Sequence, residues 1–250
     1  MTQQFAGKTA FVTGGGSGIG RASALALAAE GALVTVAGRT AHTLRETVGM
    51  IEAAGGSARY VVADVTDETQ VEQAVQAAAA GVGRLDIALN NAGYDGEYQL
   101  TKDYSTQMLD HMIALNVRGM FLSMKYEMRQ MVAQGSGSIV NMSSGAGLVG
   151  VAGFSGYTAT KAAEIAMTKS TALEGAPHGI RVNAVCPGLV DTPMIADLPE
   201  EQRNSLSAAH PLGRIAQPRE IADAVLWLSS DKAAFITGIA LPVDGGYSVP

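Results

Sequence analysis

Thr9-Ala-Phe-Val-Thr13 runs into Gly14-Gly-Gly-Ser-Gly-Ile-Gly20, and that turn opens onto Arg21-Ala-Ser-Ala-Leu-Ala-Leu-Ala-Ala29. A short apolar run, a glycine-rich turn and an Ala/Leu-rich stretch read as strand, turn and helix. Glycines permit a tight turn and let backbone N–H groups come close to a phosphate. The N-terminus of the following helix favours negative charge. The spacing is Gly14-x-x-x-Gly18-x-Gly20 rather than G-x-G-x-x-G, and glycine turns also serve as plain connectors. The strand–turn–helix setting points to a pyrophosphate site made by Gly14, Ser17, Gly18, Ile19 and Gly20.

Outward from this unit the same alternation continues along the chain. Thr9–Val12, Leu33–Ala37, Ala58–Val62, Leu85–Leu89, Ser138–Asn141, Arg181–Val185 and Ile239–Val243 read as strands. Several are continuously apolar, as parallel strands covered on both faces should be. Between them lie helical patterns at Ile19–Glu30, Ala41–Ala54, Thr69–Ala80, Thr106–Ala133, Gly156–Glu174 and Pro218–Leu228. Asp67 is placed to cap the third helix, and Gly31, Gly55 and Gly81 sit where helices should stop. The alternation predicts an α/β fold: a doubly wound parallel sheet of about seven strands with helices on both faces. No linker, repeat or charge block divides the chain, so residues 1–250 form one domain.

Other residues fall at the strand ends, where ligands of such sheets bind. The second strand ends in Val36-Ala-Gly-Arg39-Thr40, with no Asp or Glu to hold a ribose 2′-hydroxyl. Arg39 suits a 2′-phosphate instead, because a guanidinium grips phosphate in bidentate fashion. NADP(H) is therefore favoured, with NAD(H) possible, and Ser17 stands where a second basic residue would have strengthened the preference. Asp64-Val65 follows the third strand; the carboxylate could accept from an adenine amino group or cap the next turn. Asn90-Asn-Ala-Gly93 closes the fourth strand and offers Asn91, Ala92 and Gly93 to the same crevice.

Composition sets the limits. The 250 residues carry a formal charge of −6, 47% hydrophobic residues and 30 glycines. The acidic balance argues against nucleic acid or a polybasic membrane contact. A single cysteine, Cys186, excludes an internal disulfide and reads as a buried packing thiol in a reducing cytoplasm. No export signal is expected, since Lys8 leads an apolar run that breaks at Gly14. No apolar stretch approaches the ~20 residues that span a bilayer. His42, His111, His178 and His210 are scattered singly, without metal-ligand spacing, so no metal is expected.

Tyr157 and Lys161 lie four residues apart in Tyr-Thr-Ala-Thr-Lys, with Ser144 upstream. On a helix such side chains share one face. An ammonium beside a phenol favours the ionised form, so Lys161 is expected to pull the Tyr157 pKa down from about 10. Y-x-x-x-K alone is a weak signal.

Taken together, Thr13–Gly20, Asp64, Asn90–Gly93, Asn116, Ser144, Tyr157, Lys161, Pro187-Gly188 and Thr192 resemble the classical short-chain dehydrogenase/reductase family. The resemblance covers essentially the whole chain, through the closing Val243-Asp-Gly-Gly-Tyr247. Each motif is degenerate; all of them in order are not. The resemblance implies a Rossmann-type domain and hydride transfer between a nicotinamide cofactor and a ketone or secondary alcohol. It makes Tyr157 the general acid or base, with Lys161 lowering its pKa and bonding the nicotinamide ribose. Ser144 would hold the substrate oxygen where charge develops, and Asn116 would position a water that extends the proton path. Pro187, Gly188 and Val190 would face the nicotinamide, with Thr192 near its carboxamide.

The resemblance further implies a mobile substrate lid at about 190–215 and a homotetramer built on Thr106–Ala133, Gly156–Glu174 and Ile239–Val243. Ala159, Ala162, Ala163 and Ala166 would allow close helix packing between subunits, or face the domain's own sheet. Tyr94, Leu148, Phe154 and Met194 are expected to line the substrate pocket, whose apolar character suits a cyclic or medium-sized ketone or alcohol. The rival reading is a non-catalytic dinucleotide-binding regulatory protein, which a broken catalytic set would favour; here Asn116, Ser144, Tyr157 and Lys161 are all present. An epimerase or dehydratase of an extended relative would need a larger C-terminal domain than follows Pro187.

Overall fold

The computed structural model describes residues 3–80, 82–196 and 199–249. Its seven strands are β1 (Thr9–Thr13), β2 (Leu33–Gly38), β3 (Ser57–Val62), β4 (Ile87–Asn90), β5 (Gly137–Met142), β6 (Ile180–Pro187) and β7 (Ala240–Val243). They form one sheet in the order β3-β2-β1-β4-β5-β6-β7. Every pairing is parallel, with Val12 beside Val36 on one side and beside Leu89 on the other.

The continuous apolar runs have the expected cause. Successive side chains of a strand point to opposite faces, and here both faces are buried. Ala10 and Val12 of β1, Leu89 of β4 and Val140 of β5 enter one core, while Phe11, Ala88 and Ile139 enter the other. The first core is closed by α1 (Gly18–Ala29), α2 (Ala41–Ala53) and α8 (Pro218–Ser229), through Leu27, Leu44 and Ile221. The second is closed by α3 (Glu68–Ala79), α5 (Gly119–Gln134) and α6 (Ser155–Gly175), through Val75, Met131 and Ala172. The two edge strands are more open: β3 and β7 have no fully buried residue, and Val62 of β3 is 50% exposed.

Local signals set the helix ends. Asp67 accepts from the Gln70 N–H at 3.1 Å, as its place before α3 predicts. Gly31 and Gly55 follow the ends of α1 and α2, whereas Gly81 lies outside the described residues. The long helix expected over Thr106–Ala133 is divided: α4 (Thr106–Met112), a π-helical turn (Ile113–Arg118), then α5. A wider turn adds a residue to the helical repeat, and the added residue lets Asn116 point into the protein, where it is fully buried. The lid segment also contains a helix that the sequence pattern did not reveal, α7 (Glu200–Ala208). Among the described residues, no helix is long and apolar enough to cross a membrane.

Leu27 of α1 lies in the first core with Ile221 and Val225 of α8 and has 0% exposure. Leu27→Ala should lower unfolding free energy by about 2–5 kcal/mol, read as a reduced midpoint in urea denaturation without a change in far-ultraviolet circular dichroism.

Candidate active site

All seven strands end on the same edge of the sheet, so β1, β2, β4, β5 and β6 deliver their following loops to one place. The crevice there contains two cavities. One, of about 330 Å³, lies over the glycine turn; the other, of about 790 Å³, lies beside Tyr157. Ile19, Asn91, Gly93 and Thr192 line both, so the two are parts of one cleft.

The glycine turn is built for close approach. Gly14 has φ +65°, a conformation that favours glycine. A Cβ on Gly20 would lie 2.6 Å from the Asn91 amide nitrogen and would collide with the Gly14 carbonyl. Gly20 thus serves turn packing; unlike the other sequence-predicted cofactor residues, it lines neither cavity. Ser17 occupies the N-cap of α1 without a side-chain capping bond, leaving first-turn N–H groups to face the cleft. These features fit a pyrophosphate. Arg39 is exposed at the rim of the smaller cavity and makes no hydrogen bond or ion pair with the described residues. Asp64 lines the same cavity but also caps its turn, its Oδ1 accepting from the Thr66 N–H at 2.9 Å and the Thr66 hydroxyl at 2.8 Å.

Asn90 and Asn91 divide the work. Asn91 donates its amide to the Thr13 and Gly14 carbonyls, each at 3.2 Å, and holds the glycine turn. Asn90 points inward, donating to Glu127 at 2.9 Å and Asn141 at 3.0 Å. Glu127 is fully buried with no cation partner among the described residues, and burial pushes its carboxyl up to about 8.

The larger cavity joins Ser144, Tyr157, Lys161, Pro187, Gly188, Val190 and Thr192. Tyr157 and Lys161 lie one turn apart on α6, and the ammonium is 5.6 Å from the phenol ring centroid. Lys161 is 5% exposed, donating to the Met142 carbonyl and to Glu164, each at 3.0 Å. Burial works against its charge, but Glu164 and Tyr157 together hold its pKa above the usual lysine value. The phenol corrects a sequence expectation. Burial raises the Tyr157 pKa, and with the Glu164 carboxylate it outweighs the downward pull of Lys161 and Ser144.

The Asn116 side chain is held on both sides. Its amide donates to the Tyr94 carbonyl at 2.8 Å and to Thr160 at 3.0 Å, and its oxygen accepts from the Tyr94 N–H at 2.9 Å. The side chain is engaged in clamping the loop after β4 to α6. It lies near Lys161: a Cβ on Gly93 would lie 3.5 Å from both Asn116 Oδ1 and Lys161 Nζ.

Of the expected substrate-lining residues, Tyr94 and Phe154 line the cavity, Leu148 does not, and the Met194 side chain lies outside those described. Residues that the sequence did not single out complete the wall: Asp95, Tyr98, Leu206, His210 and Tyr247. Tyr98 meets Phe154 edge to face at 5.8 Å, and His210 stacks on Tyr247 at 5.1 Å. Asp95 brings a carboxyl into this mainly apolar wall, and burial raises its pKa. Cys186 is fully buried and its thiol is pushed up to about 11, as suits a packing residue.

Comparisons with known proteins agree with this geometry. A family model described as enoyl-(acyl carrier protein) reductase matches residues 14–248. Cyclohexanol dehydrogenase from Acinetobacter sp. (strain SE19) is 41% identical over 248 residues, spanning 99% of this chain and 98% of its own. Cis-4-hydroxycyclohexanecarboxylate dehydrogenase from Sinomonas cyclohexanicum is 42% identical, covering 99% of each. The crystal structure of a short-chain type dehydrogenase/reductase from Mycobacterium marinum superimposes with a TM-score of 0.94 at 35% identity, covering 100% of this chain and 98% of its own.

Gly20→Ala should displace the Gly14 turn while leaving both cores intact. NAD(P)H binding, followed by fluorescence titration, should weaken roughly tenfold or more, a loss of ~1.4 kcal/mol or above.

Proposed function

The chain belongs to the classical short-chain dehydrogenase/reductase family, and we propose that it interconverts cyclic secondary alcohols and ketones with NADP(H). The coarser activity follows from the family: it is an NAD(P)(H)-dependent oxidoreductase of alcohols and ketones. The observation that carries the reading is the single cleft joining a phosphate-fitting glycine turn to Ser144, Tyr157 and Lys161. A large, mainly apolar cavity suits a carbocyclic body, and two relatives are named for cyclohexane alcohols.

In this reading the bound nicotinamide supplies or accepts the hydride, and the protein supplies orientation and proton transfer. Gly14, Ser17, Gly18 and Ile19 hold the pyrophosphate. Asp64, Val65, Asn91, Ala92 and Gly93, which line the smaller cavity, would border the adenosine half. Lys161, Pro187, Gly188, Val190 and Thr192 surround the nicotinamide end. Ser144 holds the substrate oxygen, and Tyr157 gives it a proton during ketone reduction or removes one during alcohol oxidation. Asn116 acts on the relay through the loop it clamps. The raised Tyr157 pKa keeps the phenol protonated in the free protein, ready to act as an acid. Alcohol oxidation needs tyrosinate, so its rate should rise with pH.

The NADP(H) preference rests on Arg39 and on the lack of a carboxylate at the end of β2. The lid reading, 190–215, is supported by α7 and its neighbours closing one wall of the cavity. Arg203 of α7 pairs with Asp191 at 2.7 Å, a contact within the segment that ties its helix to its first residues. A homotetramer working in the cytoplasm is the accompanying proposal. Ala159, Ala162 and Ala166 are exposed on α6, Ala163 is half-buried, and Phe121 on α5 is 53% exposed. This leaves small and apolar surface where subunits would meet.

Tyr157→Phe should lower turnover of cyclohexanol and cyclohexanone by about 10²–10⁴-fold while NAD(P)H binding persists; retained turnover would remove Tyr157 from the mechanism. Arg39→Ala should raise the KM for NADP(H) about tenfold, through a lost phosphate contact, and leave that for NAD(H) nearly unchanged. A parent enzyme that prefers NAD(H) would show that Arg39 does not select the cofactor.

A further inference from the structure

Lys161 brings a full positive charge into the protein, and nothing in the relay described above balances it. An ammonium at 5% exposure has lost most of its water and needs either polar partners or a counter-charge. The Met142 carbonyl supplies one partner, and the other is a carboxylate three residues along the same helix. Glu164 is itself 0% exposed. Its Oε1 accepts from Lys161 at 3.0 Å, and its Oε2 has no hydrogen-bond partner among the described residues. A carboxyl with one oxygen unpartnered in the interior costs stability, so packing alone gives no reason for an acid here. Tyr157, Lys161 and Glu164 succeed one another along one face of α6, at i, i+4 and i+7.

We infer that Glu164 is a positioning residue of the active site, the buried counter-ion that fixes the Lys161 ammonium and tempers its field at Tyr157. The inference rests on Lys161 and Tyr157 acting as proposed above. The groups that face this pair are few. From α6 itself come Tyr157 and Lys161. Ser143, after β5, lies beside Glu164 but gives its hydroxyl proton to the Lys161 carbonyl at 2.9 Å. Cys186 of β6 contributes a neutral thiol, and Asp95, from the loop after β4, acts on Lys161 and Tyr157 from across the cavity. The other acid at 0% exposure among the described residues, Glu127 on α5, is bonded to Asn90 and not to this pair. Glu164 is thus the one carboxylate in direct contact with the Lys161 ammonium among the described residues.

The electrostatic consequence has a definite sign. A carboxylate favours the protonated form of every neighbour, so its charge raises the proton affinity of both Tyr157 and Lys161. Removing the charge while keeping the shape lowers both. Burial pushes the Glu164 carboxyl up to about 7, so above that pH it is charged and the profile of kcat/KM for cyclohexanol oxidation takes a rising limb from Tyr157 and a falling limb from Lys161.

Glu164→Gln retains an amide oxygen for Lys161 and should move both limbs to lower pH by roughly one unit or more. Glu164→Asp keeps the charge on a shorter arm and should return the limbs toward the parent positions with a lower kcat. A Gln profile superimposed on the parent's would overturn the inference. A second test needs no turnover and tolerates a weakened fold. In mildly alkaline buffer, Lys161→Met strands the carboxylate and should lower Tm, and adding Glu164→Gln should recover part of that loss. A double variant that melts no higher than Lys161→Met alone would equally overturn it. The two levels of the argument separate cleanly. Turnover retained in Lys161→Met would fault the relay itself, whereas a dead Lys161→Met with an unshifted Glu164→Gln profile would fault only the role of Glu164.

Discussion

The junction between β1 and β4 is the constraint on which the site depends. Here the sheet changes direction of growth, with β2 and β3 to one side and β5 to β7 to the other. Connections leave the two strands on opposite sides, so their ends would splay into an open crevice. Thr13 closes the base: its hydroxyl accepts from the Asn91 N–H at 3.0 Å and the Ala92 N–H at 3.2 Å. Asn91 returns its side-chain amide to the Thr13 and Gly14 carbonyls. The glycine turn and the loop after β4 therefore move as one body. One wall of the cleft is held to the other by the ends of the strands rather than by the helices. Gly20 lacks a side chain for the same reason, since a Cβ there would enter this junction.

Beyond the junction, the chemistry is decided by opposition between burial and charge. Burial favours neutral forms of phenol, ammonium and carboxyl alike, whereas each charged neighbour favours its opposite. At Tyr157 burial and Glu164 together exceed Lys161 and Ser144, and the phenol is more firmly protonated than ordinary tyrosine. At Lys161 the carboxylate and the phenol exceed burial, and the ammonium stays charged. An isolated Tyr–Lys spacing carries only half of this balance. The charge of Lys161 helps tyrosinate form, but that charge persists in the interior because another acid accompanies it.

How much of this was legible in the sequence follows from where each signal resides. The strands could be read because parallel strands buried on both faces have no polar alternation to confuse with surface. The glycine turn, Ser144, Tyr157 and Lys161 could be read because the chemistry needs those residue types at fixed local offsets. Helix α7 could not: Glu200-Glu-Gln-Arg-Asn-Ser-Leu-Ser-Ala208 has no apolar stripe and none of its residues is fully buried. The π-helical turn leaves the hydrophobic pattern of a long helix nearly unbroken, so the division of Thr106–Ala133 was invisible. Glu164, in Lys161-Ala-Ala-Glu164, has the look of an ordinary helix-surface glutamate. Its meaning comes from the sheet packed against it, which no local pattern records. His210 was likewise one of several scattered histidines until the fold placed it.

That histidine joins the two halves of the reaction cleft. Its Nε2 accepts from the Leu189 N–H at 3.0 Å, so Nδ1 carries the proton and donates to the Leu206 carbonyl at 2.7 Å. A neutral imidazole offers one donor and one acceptor, and both are engaged here. Leu206 belongs to α7 and Leu189 to the turn that carries Pro187 and Gly188. There is no slack between ring and turn, since a Cβ on Gly188 would lie 2.6 Å from the His210 nitrogen. Stacking on Tyr247 brings in the segment after β7, whose turn is held by Asp244 accepting from the Gly246 and Ser248 N–H groups at 2.9 Å each. The cavity wall made by α7 is thereby tied to the Pro187–Leu189 turn on the opposite wall. A displacement of α7 large enough to widen the cavity must either carry the Pro187–Leu189 turn with it or break the imidazole bonds. The positions of α7 and of the Pro187–Leu189 turn are consequently coupled through one side chain, even though the two belong to different elements.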